Sequence, residues 1–312
     1  MEMIECNFCN KNEFNFLFKG HDYLSFSRNN FKVKQCKNCG IISLNPRPKD
    51  MMPFYSKYHS GDLAKDSFSF LSKDMVKLTK RSKRNGKVLD IGCGKGKFLF
   101  NMKKTGWDVY GNELSSSSCE YAKNEFGLKN VFNGDLLSLD LPANFFDLIT
   151  LWHVLEHLDK PHDTLNKIYK LLKENGLLII ESPNFCSIQS RIFKDKWFSL
   201  DLPRHLYQFS PSTLKKCLNK SRFEIVKRDY IVNPRINFVS FKISLLRWLG
   251  IQRLPKILHS NKFNANVDLI NNKTSPKFLR FLFNFGCLII SLYLNLTGCD
   301  DSFRVYCKKN IF

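Results

Sequence analysis

From Lys87 onward, short apolar runs alternate along the chain with amphipathic segments. This alternation of strand and helix patterns over about 140 residues indicates a parallel sheet covered on both faces, with right-handed crossovers. The sequence therefore predicts an α/β fold with a doubly wound, mostly parallel sheet. The predicted strands are Lys87–Ile91, Asp108–Asn112, Asn130–Phe132, Asp147–Trp152, Leu177–Glu181 and Phe223–Ile231. The predicted helices between them are Phe98–Thr105, Ser116–Phe126, Pro161–Leu172 and Ser212–Lys220.

The first 50 residues have a different pattern, in which apolar residues occupy every second position. Phe14, Phe16 and Phe18 form one such series, and Phe31 and Val33 form a second. A period of two is typical of a half-buried strand. We therefore expect a two-stranded ribbon in this region.

Two cysteine pairs flank the predicted ribbon, Cys6-x-x-Cys9 and Cys36-x-x-Cys39. The two-residue gap lets both thiolates of a pair face one metal, and zinc prefers four tetrahedral ligands of this kind. Gly40 after the second pair permits the tight turn that such a site needs. The alternative is four ordinary free thiols. We predict a zinc ribbon with a structural ion, because four thiolates leave no open position for catalysis.

The remaining segments surround the predicted core. Phe68–Lys80 has apolar residues at helical spacing and ends in the basic run Lys80–Arg84. Asn237–Leu249 and Lys277–Leu296 are two apolar helical segments inserted before a last strand, Asp301–Lys308. The predicted domains are therefore a zinc ribbon (1–50), a helical connector or substrate cap (51–84), the core (85–232), a helical insertion (233–298), and the last core strand with the tail (299–312).

The first core strand leads into a glycine-rich turn, Gly92-x-Gly94-x-Gly96, which opens a helix. Glycines let the backbone approach a ligand closely, and a helix N-terminus presents free N–H groups. A dinucleotide-binding turn has the spacing G-x-G-x-x-G, but here Lys97 stands where the third glycine belongs. Asp90 just before the turn repels a pyrophosphate and suits a cationic group such as an α-amino group.

Two further acids follow the next two strands. Glu113 ends the second strand about 20 residues beyond the turn, where a carboxylate accepts both hydroxyls of a ribose. Asp135 follows the third strand, where it can accept a hydrogen bond from an adenine amine. The turn and both acids together predict a nucleoside ligand that carries a positive charge.

The motif VLDIGCGKGKFL at 88–99, with DLITLWHVLEH at 147–157 and NGLLIIESPN at 175–184, resembles S-adenosylmethionine-dependent methyltransferases of the Rossmann-like class I fold. The resemblance covers about residues 85–232 and the last strand. It implies S-adenosylmethionine as cofactor. By resemblance, the residues that bind the cofactor are Asp90, Gly92, Cys93, Gly94, Gly96, Glu113, Leu114, Asp135, Leu136 and Trp152.

The cysteine pairs, together with the segment Trp197–Ser210, are similar to those of bacterial methyltransferases that act on sugars, some of which carry a zinc ribbon. The stretch Tyr55-x-x-Tyr58-His59-Ser60 resembles a substrate-capping segment of zinc-bearing sugar C-methyltransferases. This resemblance implies a nucleotide- or lipid-linked saccharide precursor as the methyl acceptor, in cell-surface polysaccharide biosynthesis.

Methyl transfer to a hydroxyl or carbon acid requires a base at the carboxyl edge of the sheet. His205 is the first candidate, and the alternative is a structural histidine. Arg204 beside it is a candidate for holding a phosphate. His157 is a second candidate, and its spacing from His153 allows one helical face to carry both. Tyr58 and His59 are weaker candidates.

Composition adds a bias in charge. The 312 residues are 43% hydrophobic and 25% charged, which indicates a globular protein, and the net charge of +21 favours an anionic partner. Lysines scattered along the whole chain are the alternative explanation. Eleven cysteines without an export signal indicate a reducing, cytoplasmic location. No run reaches the roughly 18 apolar residues of a membrane span.

Three partners stay open at this point. The basic helix Asn237–Leu249 can lie on an anionic membrane, or it can form a buried hairpin or a homodimer face. An RNA methyltransferase with a zinc ribbon is the alternative function, although no aromatic stacking stripe is evident. A non-catalytic binding module is a further alternative. The sequence favours a cytoplasmic methyltransferase that acts on an anionic saccharide precursor.

Overall fold

The structure is a computed structural model. It describes residues 1–23, 27–59, 86–230, 234–250, 285, 289, 293 and 301–310, without the side chains of 27–29, 56–59 and 234–238. The predicted segments Phe68–Lys80 and Lys80–Arg84 lie outside the described residues, as does most of Lys277–Leu296. The chain divides into two compact units. One comprises Met1–Ser67, Pro183–Thr213 and Tyr230–Phe303, and the other comprises Phe68–Ser182, Leu214–Asp229 and Arg304–Phe312.

The predicted core strands and helices are present, with bounds shifted by a few residues. The strands are β1 Phe14–Asp22, β2 Ser27–Cys36, β3 Ile42–Leu44, β4 Lys87–Ile91, β5 Asp108–Glu113, β6 Val131–Asn133, β7 Phe146–Trp152, β8 Leu172–Pro183, β9 Tyr207–Gln208, β10 Phe223–Tyr230 and β11 Ser302–Lys309. The helices are α1 Met52–His59, α2 Lys97–Lys103, α3 Ser116–Phe126, α4 Pro161–Leu171, α5 Ile188–Phe193, α6 Pro211–Lys220 and α7 Pro234–Trp248.

A seven-stranded sheet forms the centre of the fold, in the order β10-β11-β8-β7-β4-β5-β6. Strand β4 pairs in parallel with both β5 and β7, so that Asp90 lies opposite Gly111 on one side and Thr150 on the other. The pairs β5–β6 and β7–β8 are also parallel. This is the predicted Rossmann-like α/β fold. The direction of strand order reverses at β4, and in such sheets ligands bind at the carboxyl ends of the strands beside the reversal.

The interior of this sheet is mostly apolar. Val88 and Leu89 of β4 are completely buried, as are Leu148 and Ile149 of β7. Near-continuous hydrophobic strands are typical of a parallel sheet with both faces covered. Helix α2 packs on β5, and α3 packs on β5 and β6. This packing fixes the carboxyl ends of β4, β5 and β6 relative to one another.

The N-terminal region forms a second, four-stranded sheet in the order β1-β2-β3-β9. The predicted ribbon is its β1–β2 pair, which is antiparallel with Phe14 opposite Cys36. Strands β3 and β9 extend it, with Ile42 opposite Gln208. The extension was not predicted, because strands of two and three residues give no periodic signal.

Helix α7 corresponds to the predicted helix Asn237–Leu249. Its basic side chains Lys242 and Arg247 are buried, at 4% and 7% exposure. These two side chains therefore do not form the solvent-facing basic stripe that a membrane-surface helix needs. Trp248 and Leu249, at its end, are exposed. Among the described residues, no helix has the length and apolar character that crossing a membrane requires.

Candidate functional site

The glycine turn between β4 and α2 adopts the left-handed backbone conformation at all three glycines, with φ of 66° at Gly92, 53° at Gly94 and 77° at Gly96. A Cβ on Gly92 would lie 2.6 Å from Val154 Cγ2, and one on Gly96 would lie 2.6 Å from Leu128 Cδ1. A Cβ on Gly94 would meet nothing within 4 Å. The outer two glycines thus permit close packing, while Gly94 faces open space.

Glu113 stands at the carboxyl end of β5, beside this open face. Its Oε2 accepts a hydrogen bond of 2.9 Å from the N–H of Gly94, and its Oε1 accepts one of 2.9 Å from the N–H of Ser115. Leu114, next along the chain, is 71% exposed. The turn therefore holds an acidic group and an apolar side chain next to the open space at Gly94.

Asp90 lies beneath the turn. It is buried, and its Oδ1 accepts a hydrogen bond of 2.6 Å from Thr150 Oγ1 on β7. Burial and the negative charge of Glu113 raise the pKa of Asp90, the hydrogen bond from Thr150 lowers it, and the net result is a pKa of about 8. A cationic group bound near the turn would favour the ionised form of this acid.

The other predicted cofactor residues are dispersed around the same strand ends. Asp135 is exposed and caps the turn Leu136–Ser138 by accepting from the N–H of Leu137 at 3.2 Å, while Leu136 is buried. Cys93 is buried, and burial raises the pKa of its thiol. The Trp152 ring packs edge-on to Phe98, with centroids 5.3 Å apart.

The four predicted zinc ligands lie together. Cys6 Sγ is 3.4 Å from Cys39 Sγ, and Cys9 Sγ is 3.5 Å from Cys36 Sγ. All four sulfurs lie within 4.8 Å of one another. Zn–S bonds of 2.3 Å in a tetrahedron put the sulfurs about 3.8 Å apart, so the cluster has the dimensions of a zinc site.

Both cysteine pairs end in a tight turn. The N–H of Asn10 donates to the carbonyl of Cys6 at 2.8 Å, and the N–H of Gly40 donates to that of Cys36 at 3.0 Å. Asn10 and Gly40 both have positive φ, at 55° and 79°. The expected role of Gly40 in such a turn is confirmed by this geometry.

His205 is 7% exposed, and its position depends on the segment before it. Its Nδ1 donates a hydrogen bond of 2.8 Å to the carbonyl of Ser199. Ser199 Oγ in turn donates a hydrogen bond of 2.9 Å to the buried carboxylate of Asp301. The same carboxylate accepts a hydrogen bond from Trp197 Nε1. Since Nδ1 carries the proton, the neutral imidazole has its basic lone pair on Nε2.

Arg204 does not have the role predicted for it. It is buried, and it donates to Asp22 Oδ1 at 3.1 Å and to both carboxylate oxygens of Asp201. These acids raise the pKa of Arg204 against the effect of burial. The guanidinium is committed to a buried ionic cluster, so the expectation that it holds a phosphate is wrong.

His153 and His157 were expected to share one helical face, and they do not. His153 has a left-handed backbone with φ of 53°. A 3-10 turn begins only at Leu155 and ends at His157, whose N–H donates to the carbonyl of Val154 at 2.9 Å. Tyr58 and His59 end α1, but their side chains are not among those described.

Two buried charged residues of the central sheet were not identified from the sequence. Glu181 on β8 and Arg304 on β11 are both buried, and Arg304 Nε donates to Glu181 Oε2 at 3.0 Å. Glu181 ends the otherwise apolar run Leu177–Glu181 that the sequence predicted as a strand. That was an available signal, because a carboxylate in a buried strand requires a partner.

Residues 63–228 match the family described as a methyltransferase domain. The chain is 32% identical over 159 residues to a mitochondrial ubiquinone biosynthesis O-methyltransferase of Schizosaccharomyces pombe, covering 47% of this chain and 56% of that protein. It is 34% identical over 107 residues to a ubiquinone biosynthesis O-methyltransferase of Glaesserella parasuis, covering 31% and 45%. The chain thus spans about half the length of these curated relatives.

A solved structure of an S-adenosylmethionine-dependent methyltransferase from Archaeoglobus fulgidus superposes with a TM-score of 0.51 at 22% identity, covering 83% of this chain and 99% of that one. This likeness shows the fold. The names of the curated relatives contradict the resemblance to sugar methyltransferases. The prediction of a saccharide-precursor acceptor is therefore wrong.

Proposed function

The chain belongs to the methyltransferase domain family, and on that premise we propose that it transfers a methyl group from S-adenosylmethionine to a hydroxyl oxygen of a small quinone-type acceptor. The observation that carries the proposal is the open Gly94 face with Glu113 beside it, at the carboxyl ends of β4 and β5. A Cβ at Gly94 would fill the space that a ligand needs. The acids suit a ligand with ribose hydroxyls and a positive charge.

The proposed binding roles follow from the chemistry of each side chain. Glu113 accepts from the ribose hydroxyls, and Asp135 accepts from the adenine amine. Leu114 contributes its exposed apolar side chain next to Glu113. The Gly92–Gly96 turn lies against the methionine end, and the carboxylate of Asp90 beneath the turn suits the cationic amino group of that end. When bound, S-adenosylmethionine supplies an electrophilic methyl group on a sulfonium.

His205 is the proposed base for the acceptor hydroxyl. Its Nδ1 donates to the Ser199 carbonyl, so Nε2 is the ring nitrogen that would take the proton. The carboxylate of Asp301 holds the hydroxyl of Ser199 and thereby orients the imidazole. His205 removes the proton as the oxygen attacks, since a phenolic or alcoholic oxygen is a stronger nucleophile when deprotonated.

The acceptor class follows from the two relatives, which are named as O-methyltransferases of ubiquinone biosynthesis. A phenol that precedes a quinone has an acidic hydroxyl, so one histidine base is sufficient for its deprotonation. The predicted contacts with an anionic membrane or with a second copy of the chain stay predictions, and RNA stays the less favoured alternative.

We infer that Cys6, Cys9, Cys36 and Cys39 bind one structural zinc ion. Sulfur separations of 3.4 and 3.5 Å, with every sulfur within 4.8 Å of the others, support this inference. Four thiolates complete a tetrahedral shell and leave no position for a substrate. The ion would stabilise the β1–β2 ribbon, because it joins the residues before β1 to those at the end of β2.

The test is methyl transfer from radiolabelled S-adenosylmethionine to four probes: catechol, hydroquinone, a uridine-diphosphate sugar and bulk RNA. The proposal expects label in catechol or hydroquinone and in neither of the others. Label confined to the sugar nucleotide or to RNA would overturn the proposed acceptor class. Absence of label from every probe, together with no binding of S-adenosylhomocysteine, would overturn the proposed activity.

A further inference from the structure

His153, at the end of β7, lies between two carboxylates. Its Nε2 is 3.1 Å from Glu181 Oε1, and its Nδ1 is 3.5 Å from Glu156 Oε1. Both glutamates are 1% exposed, whereas the histidine side chain is 22% exposed. A carboxylate oxygen accepts hydrogen bonds, so both ring nitrogens face acceptors. A doubly protonated ring matches this arrangement.

Each of the two glutamates beside His153 also accepts a hydrogen bond from a second donor. Glu181 uses Oε2 to accept from Arg304, whose Nε lies 3.0 Å away. Glu156 uses Oε2 to accept from the Ser182 hydroxyl at 3.2 Å. The imidazole thus faces Glu156 on one side and Glu181 on the other. A protonated ring between them supplies a counter-charge to two buried carboxylates.

Burial lowers the pKa of His153, but the hydrogen bonds and charges of Glu156 and Glu181 outweigh burial and raise it to about 10. The pKa of Glu181 is lowered despite its burial, by His153 and Arg304. The raised pKa of His153 and the lowered pKa of Glu181 both favour the charged forms of these groups. They agree with the ion pair that the 3.1 Å contact indicates.

The backbone at this position is strained. His153 has φ of 53°, a conformation that few residues other than glycine adopt. Its N–H donates to the carbonyl of Glu181 at 2.9 Å. The backbone at His153 places Val154 against the glycine turn. Val154 Cγ2 would lie only 2.6 Å from a Cβ at Gly92. The ionic contacts of His153 therefore fix the residue that packs on Gly92.

We propose that His153 is a positioning residue, an imidazolium clamped between Glu156 and Glu181 that holds Val154 against Gly92 and so sets the shape of the glycine turn. As an imidazolium it has no lone pair to accept a proton, so it is not the base of the reaction. The consequence for cofactor affinity rests on the proposed function, but the effect on the turn does not.

The first measurement is direct. Nitrogen-15 spectra of the wild-type protein report the protonation of both ring nitrogens between pH 6 and pH 9. We expect the chemical shifts of an imidazolium at His153 throughout this range. In a Glu156→Gln variant, the His153 ring should lose its proton at a lower pH than in the wild type. A neutral His153 ring at pH 7.5 in the wild type would overturn the proposal.

The second measurement uses His153→Asn, because asparagine tolerates positive φ but carries no charge. The matched control is His162→Asn, a histidine of the same compact unit that contacts Ser221. Amide hydrogen exchange at Gly92 and Gly94 should accelerate in His153→Asn only, by about tenfold or more, which corresponds to ~1.4 kcal/mol. Unchanged exchange at both amides would overturn the proposal.

Calorimetry with S-adenosylhomocysteine separates the two proposals. The dissociation constant should rise about tenfold or more in His153→Asn and stay unchanged in His162→Asn. Equal affinity in wild type and His153→Asn would contradict the positioning role. Binding that is absent from the wild type itself would instead contradict the proposed function, while the spectra and the exchange rates still decide the role of His153.

Discussion

The N–H of Gly94 donates a 2.9 Å hydrogen bond to Oε2 of Glu113, joining the middle of the glycine turn to the carboxyl end of the neighbouring strand. Because the second oxygen of Glu113 accepts from Ser115, both carboxylate oxygens are held by backbone N–H groups. The acid is therefore positioned by the fold itself, next to the space that opens at Gly94.

Removing this carboxylate should weaken cofactor binding. For Glu113→Ala we expect a loss of about 1.5–3 kcal/mol, or roughly tenfold to a hundredfold in the dissociation constant of S-adenosylmethionine. Calorimetry measures the effect. Glu120→Ala, an exposed glutamate on α3, is the matched control and should bind as the wild type does. Equal losses in both variants would argue against a specific role for Glu113.

The glycines of the turn should respond differently to substitution. Gly94→Asn keeps a residue that tolerates positive φ and meets no atom, so its unfolding free energy should fall by less than about 1 kcal/mol while cofactor affinity is lost. Gly92→Ala collides with Val154 and adds strain, so its midpoint temperature should fall more. Thermal unfolding and calorimetry on both variants test this contrast. Retained affinity in Gly94→Asn would mean that the open face is not the binding surface.

The cysteine cluster should contain one zinc per chain, measured by mass spectrometry of the purified protein. Cys36→Ser should lose the metal and lower the unfolding temperature, since structural zinc contributes directly to folding. Cys186→Ser is the control, because Cys186 is an exposed free thiol outside the cluster. A metal-free wild-type protein with unchanged stability after chelation would refute the zinc site.

The His153 ion pair predicts a specific pH dependence of stability. The pKa of His153 is raised to about 10, above its ordinary value of 6.5. The charged form therefore stabilises the fold fully below pH 6.5, and this contribution is lost as the pH rises through about 10. The difference in unfolding free energy between wild type and His153→Asn should shrink over that range. Denaturant titrations at pH 6.5, 8 and 9.5 check it, and a constant difference would contradict the ion pair.

His205 should matter for turnover and not for cofactor binding. His205→Asn should lower kcat by about a hundredfold or more, the range for loss of a general base, with the affinity for S-adenosylmethionine unchanged. Ser199 is not a control, because it contacts the same imidazole. His162→Asn serves instead, and equal kcat in wild type and His205→Asn would assign His205 a structural role.

Periodicity predicted the core strands and helices because burial repeats along each of them. Strand β4 and helix α3 have their predicted bounds, and the predicted strand at Leu177 is the apolar part of a longer strand, β8. Strands β3 and β9 escaped prediction because they are two or three residues long and pair across a large separation in sequence. Their positions are set by tertiary contacts, which no local pattern records.

The candidate site divides in the same way. Gly94 and Glu113 were predicted because backbone conformation and strand ends leave a signal in the sequence. The burial of Arg204 between Asp22 and Asp201 left none, since those acids lie on different segments. One partner of His153, Glu181, comes from a separate strand, and the positive φ of this residue cannot be inferred from a histidine.

The central claim is that the glycine turn with Glu113 accepts S-adenosylmethionine and not a dinucleotide. Calorimetric titration of the wild-type chain with S-adenosylmethionine, and separately with NADH, tests it most directly. We expect one binding event per chain with S-adenosylmethionine and no heat of binding with NADH. Heat with NADH and a flat titration with S-adenosylmethionine would contradict it.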